Sequence, residues 1–354
     1  MERKNFCTTV DTDSQGFLLN QEQKILMLGS CFTENIGQRL VENKFHALVN
    51  PFGVLYNPVS IFKVLDVMLN QIDSAKFSFQ NELFFDGNLW HSWLHSSKFS
   101  SPDKETLLEH IHKSITESVQ LLRELDVLFL TFGTNHTYFL RQTNQSVTNC
   151  HKQPEKLFEE RALSVTEIEA FQTVLKRLFK LRPNLQIVFT VSPYRYIKYG
   201  LHANQLSKSA LLLATDSLKK FCGGQGHYFP AYEIMNDELR DYRFYADDMI
   251  HPSALAVDYI WEIFLSSWVC ADAQNFIKQW HNIIQDLNHR PINSDSDSYR
   301  IFLNKLIQKI MLLGRKYPNL ALQKEIHSVQ SLLKSCEEQH WAGIETKNIK
   351  NKGV

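Results

Sequence analysis

Four short apolar runs, each closed by a turn signal and followed by a helical pattern, constrain the fold more than any other feature of this chain. They occupy residues 24–28, 127–132, 185–191 and 227–229, and end at Gly29, Gly133, Ser192-Pro193 and Pro230. Uninterrupted apolar runs of this length suit strands buried on both faces, as in a parallel sheet. Amphipathic stretches at 105–125, 165–181 and 205–221 fall between them, so strand and helix alternate. That alternation predicts a doubly wound α/β sheet covered by helices on both sides. Pro58 opens a further helix to residue 69, with Asn57 as its cap. Residues 81–100, rich in Phe and Trp, read as irregular or β structure inserted before the helix at 105. The main α/β domain is assigned to residues 1–288 and a linker with a C-terminal helical hairpin to 289–354. The hairpin helices are placed at 299–313 and 320–333, and the last dozen residues, rich in Lys and Asn, read as a frayed end.

In open α/β sheets ligands bind beyond the carboxyl ends of the strands, so chemistry is sought just after each run. After the first come Gly29-Ser30-Cys31 and then the start of a helix. A nucleophile gains there because the strand end lifts it above the sheet and the helix dipole favours its anion. The bland reading is that Gly29 turns the chain and Ser30 caps the helix. After the second run, Gly133 allows a tight turn and the Asn135 amide can donate to an oxyanion. Gly53, in Asn50-Pro51-Phe52-Gly53, is a further backbone donor of that kind, and His136 a substrate-binding residue. Asp248 stands three residues before His251, ahead of the last helix of the α/β region (254–268). A carboxylate at that spacing fixes the tautomer of an imidazole acting as general base.

In this order the pieces resemble the SGNH (GDSL-like) hydrolases, and Gly29-Ser30-Cys31-Phe32 resembles the signature of their bacterial GSCFA branch, with Thr33 where that branch carries Ala. Asn149-Cys150-His151-Lys152, Val191-Ser192-Pro193 and the stretches 202–208 and 232–245 are GSCFA-like as well, so the resemblance spans residues 20–270. The family implies a flavodoxin-like three-layer α/β/α fold with a mostly parallel sheet, and ester chemistry. Laid on the usual Gly-Asp-Ser turn without gaps, Cys31 takes the place of the catalytic serine and Ser30 that of the aspartate; in the rival register Ser30 is the nucleophile. A thiol beside a helix N-terminus and a His is expected to titrate below its ordinary ~8.5. The expected function is an ester hydrolase or O-acyltransferase on a small-molecule or carbohydrate ester, working through an acyl-enzyme. A non-catalytic binding protein that keeps the fold is the alternative.

The charge balance, 38 basic against 38 acidic residues, leaves no footprint for nucleic acid or anionic membrane. The six cysteines stand at 7, 31, 150, 222, 270 and 336, with no C-x-x-C pair, which argues against a zinc ribbon or a disulfide framework. No apolar run suggests a signal peptide or a membrane span, and a cytoplasmic location is expected. No phosphate loop or dinucleotide fingerprint occurs, so no cofactor is expected. His91 and His95 lack an acidic co-ligand and read as pocket-lining residues rather than a metal site. Lys208 and Arg195 are candidates for holding an anionic group of the substrate. The C-terminal helices offer a surface for homo-oligomers.

Overall fold

The computed structural model describes residues 8–336 apart from 15, 74–78, 290 and 292–295. Residues 290 and 292–295 of the expected linker at 289–298, and the whole Lys- and Asn-rich end, lie outside the described residues. The described residues form two compact units, one of those up to residue 18 together with 23–268 and one of residues 19–22 together with those from 269 onward.

The first unit is built on a five-stranded sheet of β1 (Lys24–Gly29), β2 (His46–Val49), β3 (Val127–Phe132), β4 (Gln186–Val191) and β5 (Gly226–Tyr228). Its order is β5-β4-β3-β1-β2, and every pairing is parallel. The three central runs behave as buried strands should: β3 is buried at all six positions, and β1 and β4 at all but the first. Leu26 and Leu28 of β1 join a core with helices α2 (Pro58–Ile72), α3 (Lys104–Arg123), α4 (Gln172–Leu181) and α5 (Leu201–Cys222). On the opposite face lie α1 (Cys31–Glu42) and α6 (Ala254–Trp268), where the ring of Phe129 in β3 meets Phe264. The result is a three-layer α/β/α fold, as expected. The three interior strands of the sheet therefore carry the hydrophobic load on both faces, which is why their runs are continuous rather than alternating.

Local chemistry sets the helix ends. Asn57 caps α2 by accepting the Ser60 N–H at 2.9 Å, with Pro58 at the first turn where no N–H is needed. The expected helix at 165–181 is instead two, 165–169 and α4, with a break at Ala170-Phe171. Two small antiparallel sheets accompany the main one; the first lies within 81–100, where irregular or β structure was expected, whereas the second and β2 were not expected. One sheet pairs Leu83–Phe85 with Trp90–Ser92; the other pairs His136–Leu140 with Ser146–Val147 and Phe158–Ala162.

The second unit has its own core. Phe276, Trp280 and Ile283 of α7 (Ala271–Leu287) pack with Leu303, Leu306 and Ile310 of α8 (Asp297–Lys316), and Val329 of the helical residues 323–336 completes it. The boundary expected at 288/289 falls inside this unit, because α7 shares the apolar core of the helices beyond it. Gly314 does not end α8, which runs on to Lys316.

Candidate active site

β1 ends where the strand order reverses, between β2 on one side and β3 on the other, which is the ligand-binding crevice of such sheets. Gly29 faces Thr131 across this gap. A Cβ on Gly29 would lie 2.5 Å from the Thr131 carbonyl oxygen and 2.7 Å from Thr33 Oγ1, so glycine is required by space. Its φ of +154° adds to that demand. Gly29→Ala is expected to destabilise the protein by about 2–4 kcal/mol, read from urea unfolding at constant m.

Beyond Gly29, Ser30 and Cys31 have different surroundings. Ser30 is buried and caps α1, its Oγ accepting the Phe32 N–H at 3.3 Å. Cys31 opens the helix and is partly exposed. Burial raises the Cys31 thiol above its ordinary value; N–H groups of Phe32 and Cys31 pull the other way and Glu34 adds to the rise. The expected fall is therefore overturned, because partial desolvation of the anion outweighs the amides at the helix start.

Asp248 and His251 form the anticipated dyad. Asp248 Oδ2 lies 2.5 Å from His251 Nδ1, and Oδ1 accepts the N–H groups of Ile250 and His251 at 2.9 Å each. These bonds hold the Asp248 carboxyl down at about 2. Met249, between them, sits at a left-handed φ of 57°. The loop is fixed from the side by Arg195, whose N–H and Nη1 reach the Ile250 and Met249 carbonyls at 3.1 and 3.3 Å. Arg195 thus anchors the dyad's loop rather than pointing to a substrate anion. His251 does not hydrogen-bond to Ser30 or Cys31. Tyr194 links the two regions: its ring centroid lies 4.4 Å from that of His251, and burial and the fields of Cys31 and Asp248 raise its phenol.

The expected oxyanion donors fare unequally. The Gly53 N–H is already engaged by the Asn50 carbonyl at 2.7 Å, and a Cβ there would meet Ser96 Oγ at 2.1 Å, so Gly53 serves the tight turn. Gly133 donates to the Tyr56 carbonyl at 2.8 Å, and it is a glycine because a Cβ would come 2.9 Å from that same oxygen. Asn135 is buried; its Nδ2 donates to Leu163 O at 2.7 Å, while Oδ1 has no partner. One Nδ2 hydrogen remains for a ligand. His136, on the next strand, bonds through Nδ1 to Glu160 at 2.7 Å.

Sequence reasoning missed Asn50, whose Oδ1 accepts the Gly29 N–H at 2.8 Å and so pins the turn. It also mistook Lys208. That side chain is completely buried, and Nζ donates to the Gly133 and Ser192 carbonyls at 2.6 and 2.7 Å, tying the ends of β3 and β4 together. Burial brings its pKa down to about 7. His91 and His95 are likewise internal: His91 bonds Asp86 and Ser100, and His95 is stacked on Phe52 with burial lowering it to about 3. Among the described residues no group of three or more His, Cys, Asp or Glu is arranged to hold a metal ion, and no helix is long and apolar enough to cross a membrane.

Beside the Gly133–Asn135 loop a cavity of about 690 Å³ opens over the small sheet of 136–162, lined by Tyr56, Thr134 and His136 among others. Residues 24–264 match the sequence profile of the GSCFA family, and residues 280–335 match that of the GSCFA domain protein, C-terminal domain. No curated protein and no solved structure matches the chain.

Proposed function

The chain belongs to the GSCFA family, and on that premise we propose an SGNH-type enzyme that hydrolyses or transfers an acyl ester through an acyl-enzyme on Cys31. The observation that carries the reading is a preformed Asp248–His251 dyad whose imidazole packs on Tyr194, a residue that also lies in the field of the partly exposed thiol at the start of α1. Cys31 is preferred to Ser30 because the serine is buried and occupied as a cap.

The resting thiol is neutral, so attack on an ester carbonyl needs a proton acceptor. His251 takes the thiol proton as sulfur bonds to the carbonyl carbon, and Asp248 holds the imidazole with Nε2 as the basic nitrogen. The Phe32 N–H, held only by a long bond to Ser30, and the spare Nδ2 hydrogen of Asn135 are the donors available to the oxyanion. The same proton then passes to the departing alkoxide. Water or an acceptor alcohol opens the thioester.

The test is short-chain aryl-ester turnover with intact-mass detection of an acyl adduct on Cys31; absence of both adduct and turnover would leave a binding protein that keeps the fold. Asp248→Asn removes the carboxylate that orients His251 and is expected to lower kcat/KM by about 10²-fold while leaving the melting temperature nearly unchanged. An unaltered rate in that variant would remove His251 from the mechanism.

A further inference from the structure

The cavity beside the Gly133–Asn135 loop carries a second histidine–carboxylate pair that the acylation step does not use. Glu160 Oε1 lies 2.7 Å from His136 Nδ1, and Nε2 has no partner among the described residues, on a ring that lines the cavity. The imidazole is held from its face as well, stacked on Tyr199 with centroids 4.2 Å apart and planes 11° from parallel. A ring fixed in position and tautomer, with one nitrogen free toward a cavity, is the arrangement of a proton acceptor.

The rest of the lining says what such an acceptor would meet. Tyr196, Tyr199 and Phe158 offer ring surfaces, and the Tyr138 hydroxyl, held by Tyr199 and by Lys198 Nζ at 2.8 Å, offers a fixed polar group. Two cations, Arg141 and Lys198, are matched by two carboxylates, Glu155 and Glu160. Lys198 is itself 3.8 Å from Glu160. A lining with no net charge does not select an anion; aromatic faces among many hydrogen-bonding groups suit a neutral polyhydroxylated molecule, and the volume admits one or two sugar rings. Tyr56 lines the cavity, and a Cβ on Gly133 would lie 2.9 Å from the Tyr56 carbonyl oxygen and 3.7 Å from Ser30 Cβ, so the residue preceding Cys31 stands close to the cavity wall.

We infer that this cavity binds a neutral, sugar-like alcohol as acyl acceptor, and that His136, held by Glu160, takes the proton of the attacking hydroxyl. The inference rests on the acyl-enzyme reading above. In the step, the acceptor O–H bond breaks and its proton passes to His136 Nε2 while the oxygen bonds to the thioester carbonyl carbon. The C–S bond then breaks, the thiolate of Cys31 recovers the proton, and the acceptor leaves as its O-acyl ester.

Calorimetry on the intact protein with maltose, cellobiose and diacetylchitobiose, and with glucose 6-phosphate and inorganic phosphate as anionic controls, tests the binding half without any catalysis. One of the neutral saccharides is expected to bind with unit stoichiometry, and Tyr199→Ala and Tyr196→Ala, checked for folding by melting temperature, are each expected to weaken it by about tenfold. Binding of the phosphorylated controls alone, or of no saccharide, overturns the inference. For the proton, acylated saccharide is followed by mass spectrometry after mixing with an aryl acetate: His136→Gln is expected to slow transfer to the saccharide by about 10²-fold while weakening saccharide affinity no more than about threefold. Equal transfer rates in wild type and His136→Gln overturn the role of the dyad. A missing acyl adduct on Cys31 would instead defeat the acyl-enzyme reading, and the calorimetric result would still decide whether the cavity takes a saccharide.

Discussion

Cys31→Ala is expected to lower aryl-ester turnover by at least about 10⁴-fold, whereas Ser30→Ala costs only a cap, about 0.5–1 kcal/mol of stability, with little loss of rate. The contrast follows from where the two side chains lie. Ser30 faces the interior and accepts the Phe32 N–H, and Cys31 is the first residue of the helix and reaches the surface. The thiol differs from the activated cysteine that position alone would suggest. Because burial holds its proton more tightly, alkylation by iodoacetamide near neutral pH should be slower than that of an unperturbed cysteine and should quicken as pH rises. It should still outpace Cys150 and Cys222, which burial pushes up to about 11 and about 12. Turnover then depends on His251 rather than on a standing thiolate, so His251→Ala should fall nearly as far as Cys31→Ala. If Ser30→Ala abolishes turnover and Cys31→Ala does not, the serine register is correct.

The central strands were legible because each is buried on both faces and so has to be apolar without interruption; β3 at Val127–Phe132 is the clearest case. β2 was not, since His46–Val49 pairs only with β1 at the sheet edge and is partly exposed throughout. The antiparallel sheet of 136–162 carries cavity-lining polar residues such as His136 and Glu160, which blur the period-2 pattern that betrays a strand. Within the site, the Asp248–His251 pair was legible because its partners lie three residues apart, so one turn of loop brings them together. The pair His136–Glu160 and the bond from Asn50 to Gly29 join residues far apart in the chain, and only the strand pairing reveals them. Lys208 misled for a related reason. A lysine on a helix is ordinarily solvated, and only the convergence of two strand ends on the start of α5 encloses this one.

That enclosure makes stability depend on pH in a defined direction. Lys208 titrates near 7 in the folded protein and near 10.4 in the unfolded chain, so burying its charge costs on the order of 5 kcal/mol below neutrality. Between these values the unfolded chain binds more protons, and stability rises with pH as the penalty disappears. Below about pH 7 both states are protonated and the penalty is constant. Histidines lowered by burial, such as His95 and His151, add a slope of the same sign only below the unfolded imidazole value of ~6.5. Thiols raised by burial, such as those of Cys150 and Cys222, oppose it from about one unit below the unfolded value of ~8.5, but they do so equally in wild type and in Lys208→Met. In urea titrations between about pH 7.5 and 8.5, the stability of wild type relative to Lys208→Met should therefore rise by about 1 kcal/mol. Parallel pH profiles of the two proteins would assign the proton to another group. Charge on Lys208 and charge on Cys31 favour each other, so below about pH 7, where Lys208 is charged, the variant should also alkylate at Cys31 more slowly than wild type. The lysine that joins β3 to β4 thus also reaches the thiol through its charge, and that influence should fade above about pH 7 as the lysine loses its proton.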